Sequence, residues 1–409
     1  MIPLQTGEVP LPDFAFPLLE AAELSESAPS DHPAEVAIRP GAIRGVETIL
    51  AAQDWTNVFV VTQEEAWSLT GAGRSLEPIL AKHQTTRFSG FSPNPKLDEV
   101  LRGMAAFRAS GAQAILAVGG GSAIDMAKLI AALSPQAESP LEILRGAKSL
   151  ACPAAPVIAV PTTAGTGSEA THFAVVYVEG RKFSLAHPRM LPKYAVIDPD
   201  LTANMPPGLT AASGLDAFSQ AVESYWSIHS TDASRSLALK ALKLAWSDLE
   251  AAVLHPTVEA RLAMCRASHL AGRAIQITKT TAPHAISYAI TSRFGIPHGH
   301  AVAVTLGPLL AFNAGVQPDD NCDPRGAGHV RDKLREIVQA LGCSNAGEAC
   351  AAIRAKMEKI GCASTLSKLG IEGTENLGFL CDEVNLERLA NNPRRLTRPA
   401  LEAILQSIA

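Results

Sequence analysis

Residues 114–122 read Ala114-Ile-Leu-Ala-Val-Gly-Gly-Gly-Ser122. An unbroken apolar run closed by glycine is the mark of a short strand buried on both faces. The stretch from Ala123 to about Leu133 then carries apolar residues at helical spacing. Strand, glycine turn and helix in immediate succession make the first half of a βαβ unit. Glycines in such a turn let an anion approach the backbone, and the N–H groups opening the helix point at it. A glycine triplet after a strand also serves as a plain tight turn. Alone it decides the fold and leaves the ligand open.

The same alternation extends to both sides. Gly41–Gln53 is helix-like, Val58-Phe-Val-Val-Thr62 is a buried-strand run, and Leu97–Ser110 has apolar residues near i, i+3, i+4 and i+7. Downstream, Val157-Ile-Ala-Val160 and Ala195-Val-Ile197 read as further strands. Strands alternating with helices predict a parallel, doubly wound, Rossmann-like sheet, although Gly-x-Gly-x-x-Gly is not present at the turn. After about residue 205 Ala- and Leu-rich helical patterns take over, at 211–227, 231–253, 258–276 and 282–293. The expected organisation is an N-terminal extension at 1–33, rich in Pro, Ser and acidic residues, then two domains. The first, at 34–205, is α/β; the second, at 206–409, is all-α.

Composition narrows the class. The 409-residue chain is 47% hydrophobic and 18% charged with a net charge of -5. No apolar run reaches the ~20 residues of a membrane span, and no basic footprint for nucleic acid is present. The cysteines, at 152, 265, 322, 343, 350, 362 and 381, form no Cys-x-x-Cys pair. Reduced thiols in a cytoplasmic protein are expected. The N-terminus lacks a basic-then-apolar leader pattern.

Further stretches carry chemistry. Asp125 and Lys128 follow the glycine turn on its helix. Val160-Pro-Thr-Thr-Ala-Gly-Thr-Gly-Ser-Glu169 leaves a strand into a loop where Thr162, Thr163, Thr166 and Ser168 offer hydroxyls. Such a loop suits a pyrophosphate or a carboxamide, and also serves as a polar helix cap. Asp216 and Gln220 stand at i and i+4 and so share a helix face. With His284 and His298 they offer a carboxylate, an amide oxygen and two imidazoles, a set suited to a first-row divalent metal with an open position. Isolated histidines are more often structural than ligands.

Gly-Gly-Gly-Ser-x-x-Asp-x-x-Lys, Pro-Thr-Thr-x-Gly-Thr-Gly-Ser-Glu, Gly-x-Asp-Ala and His-x12-Pro-His-Gly occur here in that order. From about residue 36 to the C-terminus the chain resembles the iron-containing (group III) alcohol dehydrogenases. The resemblance implies a dehydroquinate synthase-like architecture, NADH or NADPH as cofactor, Fe(II) or Zn(II) as metal, and a homodimer. It places Gly120, Gly121, Ser122 and Asp125 at the cofactor, with Thr162, Thr163 and Thr166 at the nicotinamide half and Lys182 at its ribose. Asp216, His284 and His298 match three metal ligands. The family's fourth ligand is a histidine where this chain has Gln220. A second family histidine, four residues after His284, is here Tyr288, so Tyr288 or His300 takes the proton relay. Many NAD-preferring relatives carry Asp after Val-Thr. Here Gln63 follows Val61-Thr62, and Arg74 is the nearby candidate for a 2′-phosphate.

Three stretches resemble the branch of that family that reduces phosphonoacetaldehyde: Asp216 to Ser227, Lys279-Thr-Thr-Ala-Pro-His-Ala285, and Val384 to Thr397. Lys279 with the hydroxyls of Thr280 and Thr281 would anchor a phosphonate. The expected activity is metal-assisted reduction of an aldehyde to a primary alcohol. A general alcohol dehydrogenase acting on neutral aliphatic aldehydes and a non-catalytic nucleotide-binding relative are the alternatives.

Overall fold

The computed structural model describes residues 35–409, so the 1–33 extension lies outside the described residues. Six parallel strands form the main sheet: β1 (Glu35–Ile38), β2 (Asn57–Thr62), β3 (Gln84–Phe88), β4 (Ala114–Gly119), β5 (Val157–Pro161) and, after a hairpin, β8 (Tyr194–Ile197). Their order is β1-β8-β5-β4-β2-β3, with every neighbouring pair parallel.

The central strands read as continuous apolar runs because both faces are covered. Val58, Val60, Leu116 and Val118 enter one core, while Phe59, Val61, Ile115 and Ala117 enter the other. From β2 the chain crosses outward to β3 and returns to β4 on the opposite side of β2. The carboxyl ends of β2 and β4, at Thr62 and Gly119, are therefore a topological switch point, where such sheets bind ligands.

After residue 206 the described elements are helical, beginning with Pro207–Trp226, Asp232–Leu254, Val258–Thr278, Ala282–Phe294 and His298–Ala314. Prolines in the first turn and Thr side chains at the N-caps (Thr231, Thr257) start these helices cleanly. Val36, Ile38, Ala195 and Ile197 share a core with Phe218 and Leu242, so the outer strands β1 and β8 dock the helical unit onto the sheet. The α/β unit with a helical second unit is the expected architecture.

Some strands were not foreseen. β1 has four residues, and β3, Gln84-Thr-Thr-Arg-Phe88, is a mostly exposed edge strand. β6 (Phe173–Val178) and β7 (Arg181–Ala186) form a separate antiparallel hairpin. Its turn is Glu179-Gly180 with φ of 51° and 77°, the primed geometry usually announced by Asn-Gly or Asp-Gly. The seven cysteines are free thiols. No described helix is long and apolar enough to cross a membrane.

Candidate active site

The glycine turn sits at the switch point. Gly119 has φ 151°, and its carbonyl accepts the Thr162 N–H at 3.0 Å, tying β4 to the threonine loop. The helix Gly121–Leu133 opens on Gly120 without a side-chain cap, so its first N–H groups face the cleft. Gly120, Gly121, Ser122, Thr163 and Thr166 line a cleft of about 390 Å³ between the sheet and the helical unit. The Ser122 hydroxyl accepts the Asn94 N–H at 3.1 Å.

Two residues of the expected cofactor set are otherwise occupied. Thr162 is buried behind the loop. Asp125 lines the cleft, but its carboxylate accepts Ser168 Oγ at 2.5 Å and the Val175 N–H at 2.9 Å. Beside it Lys128, fully buried, donates to Ser168 Oγ (2.8 Å), Thr171 Oγ1 (3.0 Å) and the Phe173 carbonyl (3.0 Å). Burial pushes its ammonium down to about 8 against the pull of Asp125 and Glu169. This network clamps the turn, the threonine loop and β6 together. Gln63 lines the cleft and reaches the Phe91 carbonyl, whereas Arg74 is exposed and lies away from the lining.

Opposite the turn, Asp216, His284 and His298 bring one ligand atom each to within 4.8 Å of one another. His284 Nε2 lies 3.2 Å from Asp216 Oδ1, and its Nδ1 bonds Glu223. Glu223, fully buried, also accepts the Thr281 N–H (2.9 Å), Thr281 Oγ1 (3.0 Å) and the His284 N–H (3.3 Å). A carboxylate only accepts, so Glu223 fixes the Nδ1–H and turns Nε2 toward Asp216. Burial lowers His284, but Glu223 and Asp216 more than reverse this and raise it to about 10. Burial, with Lys182 and His284, pushes His298 down to about 3 against Asp216, keeping its imidazole neutral.

These residues fit a divalent cation. Glu223 and Asp216 raise His284 because their negative charge favours a positive charge beside them, and a bound cation can supply that charge in place of the Nε2 proton. Gln220 Oε1 is buried without a hydrogen-bond partner. The amide Nε2 of Gln220 reaches the Thr166 carbonyl at 3.4 Å. That spare carbonyl oxygen is of the hard-donor type that would suit a cation beside a carboxylate and two imidazoles.

Tyr288 lines the cleft with its ring stacked on His298 at 5.9 Å, and Lys182 Nζ stands 3.4 Å over the same ring. Burial raises the Tyr288 phenol, and Lys182, Arg388 and His284 outweigh that and lower it. His300 is not brought to the site. Its Nε2 bonds the Ala363 carbonyl at 2.7 Å, because residues two apart on a helix face different ways. Lys279 and Thr280 line the cleft, but the Thr281 hydroxyl is taken by Glu223 and Trp226 Nε1 and cannot hold a substrate.

Sequence reading missed Glu223 and Arg388. Glu223 lies three residues beyond Gln220, hence on the same helix face, and that spacing could have found it. Arg388 carried no local signal.

A cleft floored by a glycine turn at a helix N-terminus and facing a cation-ready cluster is the working arrangement of a metal-assisted, nicotinamide-dependent oxidoreductase. The chain belongs to the iron-containing alcohol dehydrogenase family. The "Iron-containing alcohol dehydrogenase" model matches residues 33–199 and the "Fe-containing alcohol dehydrogenase family, C-terminal" model matches 210–409. It is similar to the phosphonoacetaldehyde reductase of Streptomyces viridochromogenes, 38% identical, covering 82% of this chain and 84% of that one. It is also similar to the 1,3-propanediol dehydrogenase of Klebsiella pneumoniae, 35% identical over 78% and 82%. Among solved structures, sulfoacetaldehyde reductase from Bifidobacterium kashiwanohense, in complex with NAD+, superposes with a TM-score of 0.84 at 30% identity. That match covers 92% of this chain and 97% of the other.

Proposed function

We propose that this alcohol dehydrogenase reduces a short aldehyde carrying a terminal phosphonate, phosphonoacetaldehyde, to 2-hydroxyethylphosphonate. The carrying observation is that three cations, Lys182, Lys279 and Arg388, line the same cleft as the Asp216–His284–His298 cluster. The likeness to a phosphonoacetaldehyde reductase supports the same reading.

When bound, NADH or NADPH supplies hydride and an Fe(II) or Zn(II) ion polarises the carbonyl oxygen. Asp216, Gln220, His284 and His298 would hold the metal, and the Gly120–Ser122 turn the pyrophosphate. Thr163 and Thr166 would orient the nicotinamide half, and Lys182, held over the Tyr288 ring, would face its ribose. Tyr288, which lines the cleft where His300 does not, hands a proton to the alcohol oxygen.

Turnover of NADH and NADPH with phosphonoacetaldehyde and with propanal, under Fe(II), Zn(II) or chelator, tests the assignment. A large kcat/KM preference for the phosphonate is expected, and loss of activity with chelator. Equal or faster turnover of propanal would leave a general alcohol dehydrogenase. The role of Gln220 has its own test in equilibrium dialysis of the metal. Gln220→Leu is expected to weaken binding by roughly 10–100-fold, the scale on which metal sites respond to loss of a supporting group. Unchanged affinity would remove Gln220 from the ligand set.

A further inference from the structure

We infer that Arg388 reads the charged end of the substrate, its guanidinium holding a terminal phosphonate or sulfonate across the Tyr288 ring from the Asp216–His284–His298 cluster. This rests on the anionic-aldehyde reading above and assigns the anion to a different residue from Lys279.

Spacing comes first. In a two-carbon aldehyde the oxyanion group sits one carbon from the carbonyl, so its counter-ion must stand about one side chain away from the metal ligands. Tyr288 is that side chain: its ring stacks on His298, and Arg388 lines the same cleft and acts electrostatically on its phenol. Lys182 is committed to the ring face at 3.4 Å.

Preorganisation separates the two remaining cations. The Lys279 side chain is 51% exposed and pairs with Glu387 at 3.5 Å. That of Arg388 is 11% exposed, and its backbone is pinned on both sides. The Asn385 side chain accepts the Arg388 N–H at 2.9 Å, and the Arg388 carbonyl accepts the Asn391 N–H at 3.1 Å. Asn391 Nδ2 in turn donates to the Thr280 carbonyl at 2.8 Å, and the Asn385 N–H to the Ala285 carbonyl at 3.2 Å. The segment is thus fastened to the turn that carries His284. A planar fork held in place matches two oxygens of a phosphonate or sulfonate, whereas a swinging ammonium offers only a point charge.

Glu387 completes the device. Its carboxylate, 62% exposed, lies 3.5 Å from Lys279 Nζ and 3.8 Å from Arg388 Nη1. It stands at the mouth as a weak internal anion that an incoming oxyanion displaces toward water. Removing its charge should therefore improve binding of an anionic substrate, an effect opposite to that of losing the guanidinium.

The experiment compares kcat and KM for phosphonoacetaldehyde, sulfoacetaldehyde and propanal in the wild type and in Arg388→Gln, Arg388→Lys, Lys279→Gln and Glu387→Gln, with melting temperatures alongside. Arg388→Gln is expected to lower the anionic-to-neutral kcat/KM ratio about 100-fold, mostly through KM, and Arg388→Lys to recover part of it. Lys279→Gln should change the ratio less than about fivefold, and Glu387→Gln should lower KM for the anionic aldehyde roughly two- to fivefold. Whichever anion loses more on Arg388→Gln is the one the fork reads. A wild-type ratio retained in Arg388→Gln, or a collapse confined to Lys279→Gln, overturns the assignment while the anionic-substrate function stands. Wild-type preference for propanal overturns both. Should Arg388→Gln fail to fold, Arg388→Lys and Glu387→Gln carry the decision through their opposite shifts in KM.

Discussion

Glu223→Gln is expected to cost the enzyme roughly 10–100-fold in metal affinity, and activity with it, while the fold survives. Glutamine keeps a carbonyl oxygen for the Thr281 N–H, the Thr281 hydroxyl and the His284 N–H. What changes is the atom at His284 Nδ1, where an accepting carboxylate oxygen becomes a donating amide. The imidazole must answer by accepting at Nδ1, which puts its proton on Nε2 and removes the lone pair that faces Asp216. Glu223→Ala should be worse in a different way. It leaves the four donors of a fully buried pocket without an acceptor, and loss of about 3–5 kcal/mol of stability is expected. Denaturant melts and metal titrations on the two variants separate the effects. If Glu223→Gln binds metal as the wild type does, the tautomer of His284 is set by something else.

How much of this was legible in the chain follows from where each interaction lies in sequence. β2, β4 and β5 could be read because strands covered on both faces need unbroken apolar residues. β3 could not, since an exposed edge places no such demand on Gln84-Thr-Thr-Arg. Asp216 and Gln220 could be paired from helical spacing alone, and the same spacing reaches Glu223 and argues against His300 as a neighbour of His298. The Lys128 clamp was invisible as such: its partners Ser168, Thr171 and Phe173 are brought in only by the return of the chain through β5. Arg388 is the extreme case. It reaches the cleft because Asn391 is fastened to Thr280, a contact spanning 111 residues, and no local pattern encodes that. Helical periodicity thus paired Asp216 with Gln220, His284 and His298 entered only through the family motifs, and the groups packed around these four depended on tertiary closure.

Gly299→Ala should be the most damaging single-methyl change in the site, and the reason lies in how the Pro-His-Gly turn is packed. A glycine inside a helix is ordinarily a weakness, and replacing it with alanine gains about 1 kcal/mol. Here the added Cβ would lie 2.0 Å from the Ala212 carbonyl oxygen, 2.7 Å from Asp216 Cβ and 2.8 Å from the Asp216 N. Backbone on both sides has no rotamer to yield, so the helices Pro207–Trp226 and His298–Ala314 must part. Overpacking of this kind costs about 1–3 kcal/mol or more. The functional loss should exceed the structural one, since the helices that part carry Asp216 and His298, and ~1 Å of misplacement can cost ~100-fold in rate. Gly328→Ala is the matched control: it also lies in a helix, Ala327–Ala340, with nothing within 4 Å of the added Cβ. That variant should melt at or slightly above the wild-type temperature with unchanged kcat/KM. Gly299→Ala should melt lower, with kcat/KM reduced at least ~100-fold and metal affinity reduced alongside. Were Gly299→Ala to gain stability as its control does, the close approach of these helices would not be what sets His298 against Asp216. The glycine after His298 would then answer to nothing in the geometry of the metal ligands.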